Sequence, residues 1–170
     1  MSSIGRHPSL DDRFDPATRV VAHDSAWTAR AGAELARIRA ALGSVAVRLE
    51  HVGSTAIPGL AAKPIIDLQL SVEAVEQDAF YRGCLERLGY VFVMDPDSPE
   101  YRFFAKPPQR PRSFHLHVCE AGSADETRHT AVRDYLSSHL EEAESYAAVA
   151  IAHLSQPALP RAVGCGPCVA

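Results

Sequence analysis

Apolar residues recur at helical spacing in the first quarter of the chain and at every second position in three later stretches, so helical and extended periods alternate along it. Trp27, Ala31, Leu35, Ile38 and Leu42 predict an amphipathic helix with Ser25 as its N-cap and Gly43 as its stop. Val45, Val47 and Leu49 then alternate with Ala46, Arg48 and Glu50, which predicts a half-buried strand reaching His51. A second strand over 65–72 follows Pro64. It sets Ile66, Leu68, Leu70 and Val72 on one face and Ile65, Asp67, Gln69 and Ser71 on the other. Residues 73–88 read as a helix ended by Gly89, with Val75, Ala79 and Leu88 turned inward, and two strands at 90–94 and 101–106 suggest a hairpin around DPDSPE. The stretch SFHLHVCE alternates again, with Phe114, Leu116 and Val118 opposite His115, His117 and Cys119. Ser123 and Glu126 form a capping-box signature for a helix carrying Val132, Leu136 and Leu140 inward, and a further helix is expected over 141–154.

Length and composition fit a single core: 170 residues, 46% hydrophobic and 22% charged, with no internal repeat and no linker. The polar, proline-punctuated residues 1–19 read as a flexible leader, 20–155 as the domain, and the Pro- and Gly-rich 156–170 as a tail. The expected fold is α/β or α+β, a mixed sheet of about five strands with helices mainly on one face. A net charge of −4 gives no extended basic surface for nucleic acid, whereas a small phosphorylated ligand needs only a few local cations. No apolar run is long enough to span a membrane, and MSSIGRHPSL lacks the apolar centre of a signal peptide, so a cytoplasmic location is expected. Cys84 and Cys119 fall within apolar segments and read as buried thiols. Cys165 and Cys168 copy the spacing of a redox dithiol but have no following helix to lower a thiol pKa.

Three features carry candidate chemistry. Gly53, Ser54 and Thr55 form a turn after a strand, where backbone amides and two hydroxyls could cradle phosphate oxygens; the same turn is also a common purely structural device. Asp67 lies in the middle of an apolar strand, and a carboxylate there needs a cation, such as Lys63 or a bound Mg²⁺, unless it stands at a solvated sheet edge. His115 and His117, at alternate strand positions roughly 7 Å apart, could flank a ligand or each supply a metal ligand, or simply face water. The acidic group Glu141, Glu142 and Glu144 opens a helix and suits its dipole.

The block HVGSTAIPGLAAKPIID, from His51 to Asp67, resembles the signature of the GrpB family, and the likeness extends to Trp27, LERLGY, HLHV and RHTAVRDYLSSHLEEAESYAAV, covering about residues 20–149. The resemblance implies a bacterial protein of the nucleotidyltransferase superfamily, a family also found fused to dephospho-coenzyme A kinase. It implies that Gly53 and Ser54, with Thr55 and Lys63, hold nucleotide phosphates, that Arg102 and Arg133 contact anions, and that Asp67 is the first metal-binding carboxylate. The second acidic position of that superfamily is here Gln69, and the strand expected to bring a third carboxylate offers His115 and His117 instead. Asp67, Gln69 and His117 are therefore the implied metal group, and Asp67, His115 and His117 the implied catalytic one. The tail IAHLSQPALPRAVGCGPCVA departs from the Lys-rich helix of the family.

Two functions follow as expectations. One is a metal-dependent nucleotidyl- or phosphoryl-group transferase using a nucleoside triphosphate and a small-molecule acceptor, with Mg²⁺ or Mn²⁺, or Zn²⁺ given the imidazoles. The other is a non-catalytic module that binds a nucleotide or phosphorylated metabolite. A zinc site built on the histidine pair is a third arrangement.

Overall fold

The computed structural model describes residues 19–94 and 102–155. Residues 1–18 of the expected leader, DPDSPE, and the expected tail 156–170 with Cys165-Gly-Pro-Cys168 lie outside the described residues.

Helix α1 spans Ala26–Leu42 and buries Trp27, Ala31, Ile38 and Leu42, with Gly43 adopting φ 55° at its end. Its N-terminal amide at Ala26 is met by the Asp24 carboxylate at 2.9 Å, so Asp24 does the capping expected of Ser25. Strand β1 covers Arg48–Val52, starting later than the alternation suggested because Gly43–Val45 closes into a short 3₁₀ turn. Strand β2 covers Ile66–Val72. The helix expected over 73–88 is reduced to α2, Arg82–Arg87, preceded by a 3₁₀ turn at Asp78–Phe80. The Tyr81 hydroxyl donates to the Val75 carbonyl at 2.5 Å, which ties the loop down and withdraws that carbonyl from a helical ladder. Strands β3 (Val91–Val93), β4 (Arg102–Lys106) and β5 (Phe114–Glu120) follow, then α3 (Ala124–Ser138) and α4 (Leu140–Ser155).

The five strands form one mixed sheet in the order β1-β2-β5-β4-β3. The central β2 and β5 pair in parallel, and every other pairing is antiparallel. Side chains of directly opposed residues share a face, so the register sorts the sheet into two surfaces. Ile66, Leu68, Leu70, Leu116, Val118 and Phe104 lie on one of them and pack with Trp27, Ile38 and Leu85 from α1 and α2 into the main core. Leu68 and Leu116 are fully buried there; burying a leucine is worth about 1.5–3 kcal/mol.

The other face carries Asp67, Gln69, Ser71, His115, His117 and Cys119, as the period-two alternation predicts. Helix α3 crosses it. The Ser123 hydroxyl accepts from the Glu126 amide at 3.2 Å, while the Glu126 carboxylate takes the Gly122 amide at 2.6 Å and Arg48 Nε at 2.6 Å. Behind this cap the inward stripe is Glu126, His129, Arg133 and Leu136, whereas Val132 and Leu140, expected inside, are 48% and 67% exposed. Leu136 and Ala143 close a small apolar cluster with Ile57 and Leu60, which fixes α3 and α4 against the segment following the Gly53 turn.

Candidate functional site

The polar face is organised around Asp67. By register Val52, Asp67, His115 and Ala105 form one row across four strands, and Glu50, Gln69, His117 and Phe103 form the next. His115 Nδ1 and His117 Nε2 each stand 3.4 Å from the same oxygen, Asp67 Oδ1. Burial of Asp67 favours its protonated form, but hydrogen bonds from His115 and His117 outweigh that effect and hold the carboxyl well below the usual carboxylate range. Asp67 is thus a fixed anion. Its neighbour on the other side is Gly53, whose φ of 70° turns the chain sharply as β1 ends. A Cβ on Gly53 would fall 2.7 Å from Asp67 Oδ2 and 2.8 Å from its Cβ, so only glycine lets the turn lie against this acid.

The Gly53–Thr55 turn continues as a 3₁₀ turn, Ser54–Ala56, in which the Ala56 and Ile57 amides bond the Gly53 and Ser54 carbonyls. Ser54 is half-buried beside it. Thr55 is buried, and its hydroxyl meets His51 Nε2 at 3.0 Å; this hydroxyl braces the turn from within rather than facing a ligand. Burial pushes the His51 imidazole below its ordinary pKa, against the pull of Asp67 and with the aid of Arg133. Lys63 sits half-buried on the connection into β2.

Of the two arginines expected to contact anions, one lies on the other face of the sheet and one is engaged in a structural contact. Arg102 pairs with Val118 in the sheet and so lies on the apolar face, beside the Tyr81 hydroxyl, because β4 begins with the phase that sends Phe103 and Ala105 to the site. It does not reach Asp67 from there. Arg133 is on the site side, but its guanidinium is already engaged, with Nη1 2.8 Å from Glu50 Oε2 and donating to the His51 carbonyl at 2.9 Å. It fastens α3 to β1.

Helix α3 also supplies a residue that sequence reading missed. His129 Nδ1 lies 2.9 Å from Gln69 Oε1, and its ring is 5.0 Å from that of His117, centroid to centroid. Phe103 closes the same surface, 5.0 Å from His115 and 5.3 Å from His117. The spacing Glu126, His129, Arg133, Leu136 is helical, and could have signalled an inward polar stripe had apolar periodicity not been followed instead. Desolvation lowers the His129 pKa, and His117 adds to the effect. Gln69 itself is 1% exposed, and its Nε2 has no hydrogen-bond partner. The same is true of His115 Nε2.

These donors do not fit a clamp of paired carboxylates around divalent ions. On β2 only Asp67 carries a charge, Glu50 of β1 is held by Arg133, Gln69 is committed to His129, and among the described residues no three His, Cys, Asp or Glu side chains converge as a metal site. Among the described residues no helix is long and apolar enough to cross a membrane.

A family model described as "GrpB protein" matches residues 17–158. The chain is 38% identical over 128 residues to UPF0157 protein BH1888 of Halalkalibacterium halodurans, covering 75% of this chain and 64% of that protein. It is 39% identical over 140 residues to UPF0157 protein PA4798 of Pseudomonas aeruginosa, covering 81% and 55%. It therefore spans less than two thirds of these curated relatives. The crystal structure of conserved protein GrpB from Enterococcus faecalis superposes with a TM-score of 0.69 at 31% identity, covering 81% of this chain and 86% of that one. Over a shorter stretch of 60 residues, 34% of this chain and 15% of the other, it is 45% identical to a dephospho-CoA kinase of Mycolicibacterium paratuberculosis. With the five-stranded sheet, the Gly53 turn and the Asp67–histidine group in one frame, and the family model spanning both, the chain belongs to the GrpB family.

Proposed function

We propose that this chain binds a nucleoside triphosphate or another phosphorylated small molecule beside the Gly53 turn and transfers a phosphoryl or nucleotidyl group to a small-molecule acceptor. The observation that carries the reading is the contact of Asp67 with Gly53 on one side and two imidazoles on the other, which brings a glycine turn and an acid–imidazole pair into one place. Ser54 and Lys63 hold phosphate oxygens. Asp67, held ionised, is a poor base; it orients His117 and stabilises the charge that ring acquires on taking a proton. His117 is the base, because the far nitrogen of His115 is buried.

In the reaction the acceptor's hydroxyl oxygen forms a bond to phosphorus while the bond from that phosphorus to the bridging oxygen of the leaving group breaks, the leaving group being the nucleoside diphosphate in phosphoryl transfer and pyrophosphate in nucleotidyl transfer. The hydroxyl proton passes to His117, and the leaving group carries away the bonding electrons. Positioning does most of the work, as in phosphoryl transfer generally.

A second reading, a binding module without transfer, is favoured by Gln69, which leaves Asp67 without a neighbouring acid on its strand. The likeness to dephospho-CoA kinase puts coenzyme A-related metabolites among the ligands to try. Calorimetric titration with ATP tests the shared core of both readings: saturable binding weakened at least about tenfold, or 1.4 kcal/mol, by Ser54→Ala or Lys63→Ala supports it. Absence of binding by ATP and by coenzyme A-type phosphates would refute it. Release of nucleoside diphosphate or pyrophosphate from the bound nucleotide in the presence of a hydroxyl acceptor, lost in His117→Gln, separates transfer from binding alone.

A further inference from the structure

A buried glutamine that accepts from a histidine on another element is an arrangement with a definite chemical consequence. With Gln69 Oε1 as acceptor, the proton of neutral His129 resides on Nδ1, and Nε2 keeps its lone pair. Gln69 lies on β2 between Glu50 and His117 in the register and is buried, so its amide is enclosed by protein. The same bond sets the His129 ring over His117. Removing the acceptor would leave a ring N–H without its partner at a partly buried site, which is unfavourable.

We infer that Gln69 is a positioning residue for His129 and not a metal ligand, so that the ligand site beside Asp67 is walled by the imidazoles of His115, His117 and His129 and holds no divalent ion at strand position 69. The inference rests on the proposed reading only for the identity of the ligand. It deepens that reading by naming what meets the phosphate charge: hydrogen-bond donors on side chains and the turn, in place of a resident ion. The ligand class is a phosphorylated molecule recognised in its metal-free form as readily as in its metal complex. His129 Nε2 adds an acceptor suited to a hydroxyl or amine of the ligand.

Three measurements on the full chain decide it. Imidazole nitrogen NMR reads the tautomer directly: His129 is expected with its proton on Nδ1 in the wild type and in Gln69→Glu, which keeps an acceptor, and to lose that fixed tautomer in Gln69→Leu. Manganese ion alone, added at equimolar concentration, is expected to leave the ring signals of His117 and His129 sharp. Calorimetry with ATP is expected to give affinities within about threefold, under 1 kcal/mol, in chelator and in excess Mg²⁺. Selective broadening of these rings by Mn²⁺, or a His129 tautomer indifferent to Gln69→Leu, would overturn the inference; should Gln69→Leu fail to fold, Gln69→Glu and the wild-type Mn²⁺ result still decide. If ATP fails to bind in either condition, the proposed function falls, while the NMR results still judge the role of Gln69.

Discussion

The carboxylate of Asp67 lies against the α-carbon of Gly53, leaving no room for a side chain: a Cβ would stand 2.7 Å from Oδ2. The two residues come from β2 and from the turn after β1, strands that pair antiparallel with Val52 opposite Asp67. The hairpin-like pairing and the glycine turn together deliver the acid to the site.

Gly53→Ala combines that clash with a left-handed backbone and is expected to cost about 2–4 kcal/mol in urea unfolding. Gly59, with φ 79° but open space around its Cα, is the control; Gly59→Ala should cost only about 1 kcal/mol of backbone strain. Equal losses at the two positions would contradict the contact.

The polar stripe of α3 predicts a pH dependence. The Glu126 carboxyl is held down to about 2, chiefly by its hydrogen bonds with Arg48, from an ordinary value of 4.5. Because the folded-state pKa is depressed, its contribution is complete above pH 4.5 and is lost as pH falls towards 2. Glu126→Gln should therefore be less stable than wild type at neutral pH by about 1–3 kcal/mol, with the gap closing over that window. Thermal unfolding at stepped pH reads this, and a gap that stays constant would contradict it.

Arg102 offers a discriminating control. It stands on the apolar face beside Tyr81, so Arg102→Leu should leave ATP affinity within about twofold while lowering stability by about 1–2 kcal/mol. Calorimetry and urea unfolding on one preparation measure both. A large loss of affinity with stability intact would put Arg102 back in the site.

Coupling between the sheet and α3 is tested by a double-mutant cycle. Gln69→Leu and His129→Leu should each destabilise, and the pair together should cost less than their sum by about 1–2 kcal/mol, since each single change orphans the other's polar group. Strict additivity would contradict the hydrogen bond between them.

What could be read from the chain depended on the period. Strands repeat every two residues, so the faces of β2 and β5 were legible down to Asp67, Gln69, His115 and His117, and a core of Ile66, Leu68 and Leu116 follows from the same alternation. The helices were harder. Helix α3 lies over a polar surface, so its inward residues are Glu126, His129 and Arg133, whereas apolar periodicity points to Val132, which is exposed. Residues 73–77 carry residues suited to a helix, but Tyr81 anchors the loop through Val75, a contact that only the fold creates. The resemblance implies that Gly53 and Asp67 serve one site, but that Thr55 turns inward to His51 has no signal in the chain, because a threonine in a turn shows nothing of its partner in sequence.

The most direct test is the response of backbone amide signals to ATP. The account predicts concentration-dependent shifts concentrated at Gly53 and Ser54 and in the segment around Asp67, with the surface formed by Phe80 and Gln77 on the opposite side unmoved. Shifts confined to other parts of the chain, or none at saturating nucleotide, would contradict it.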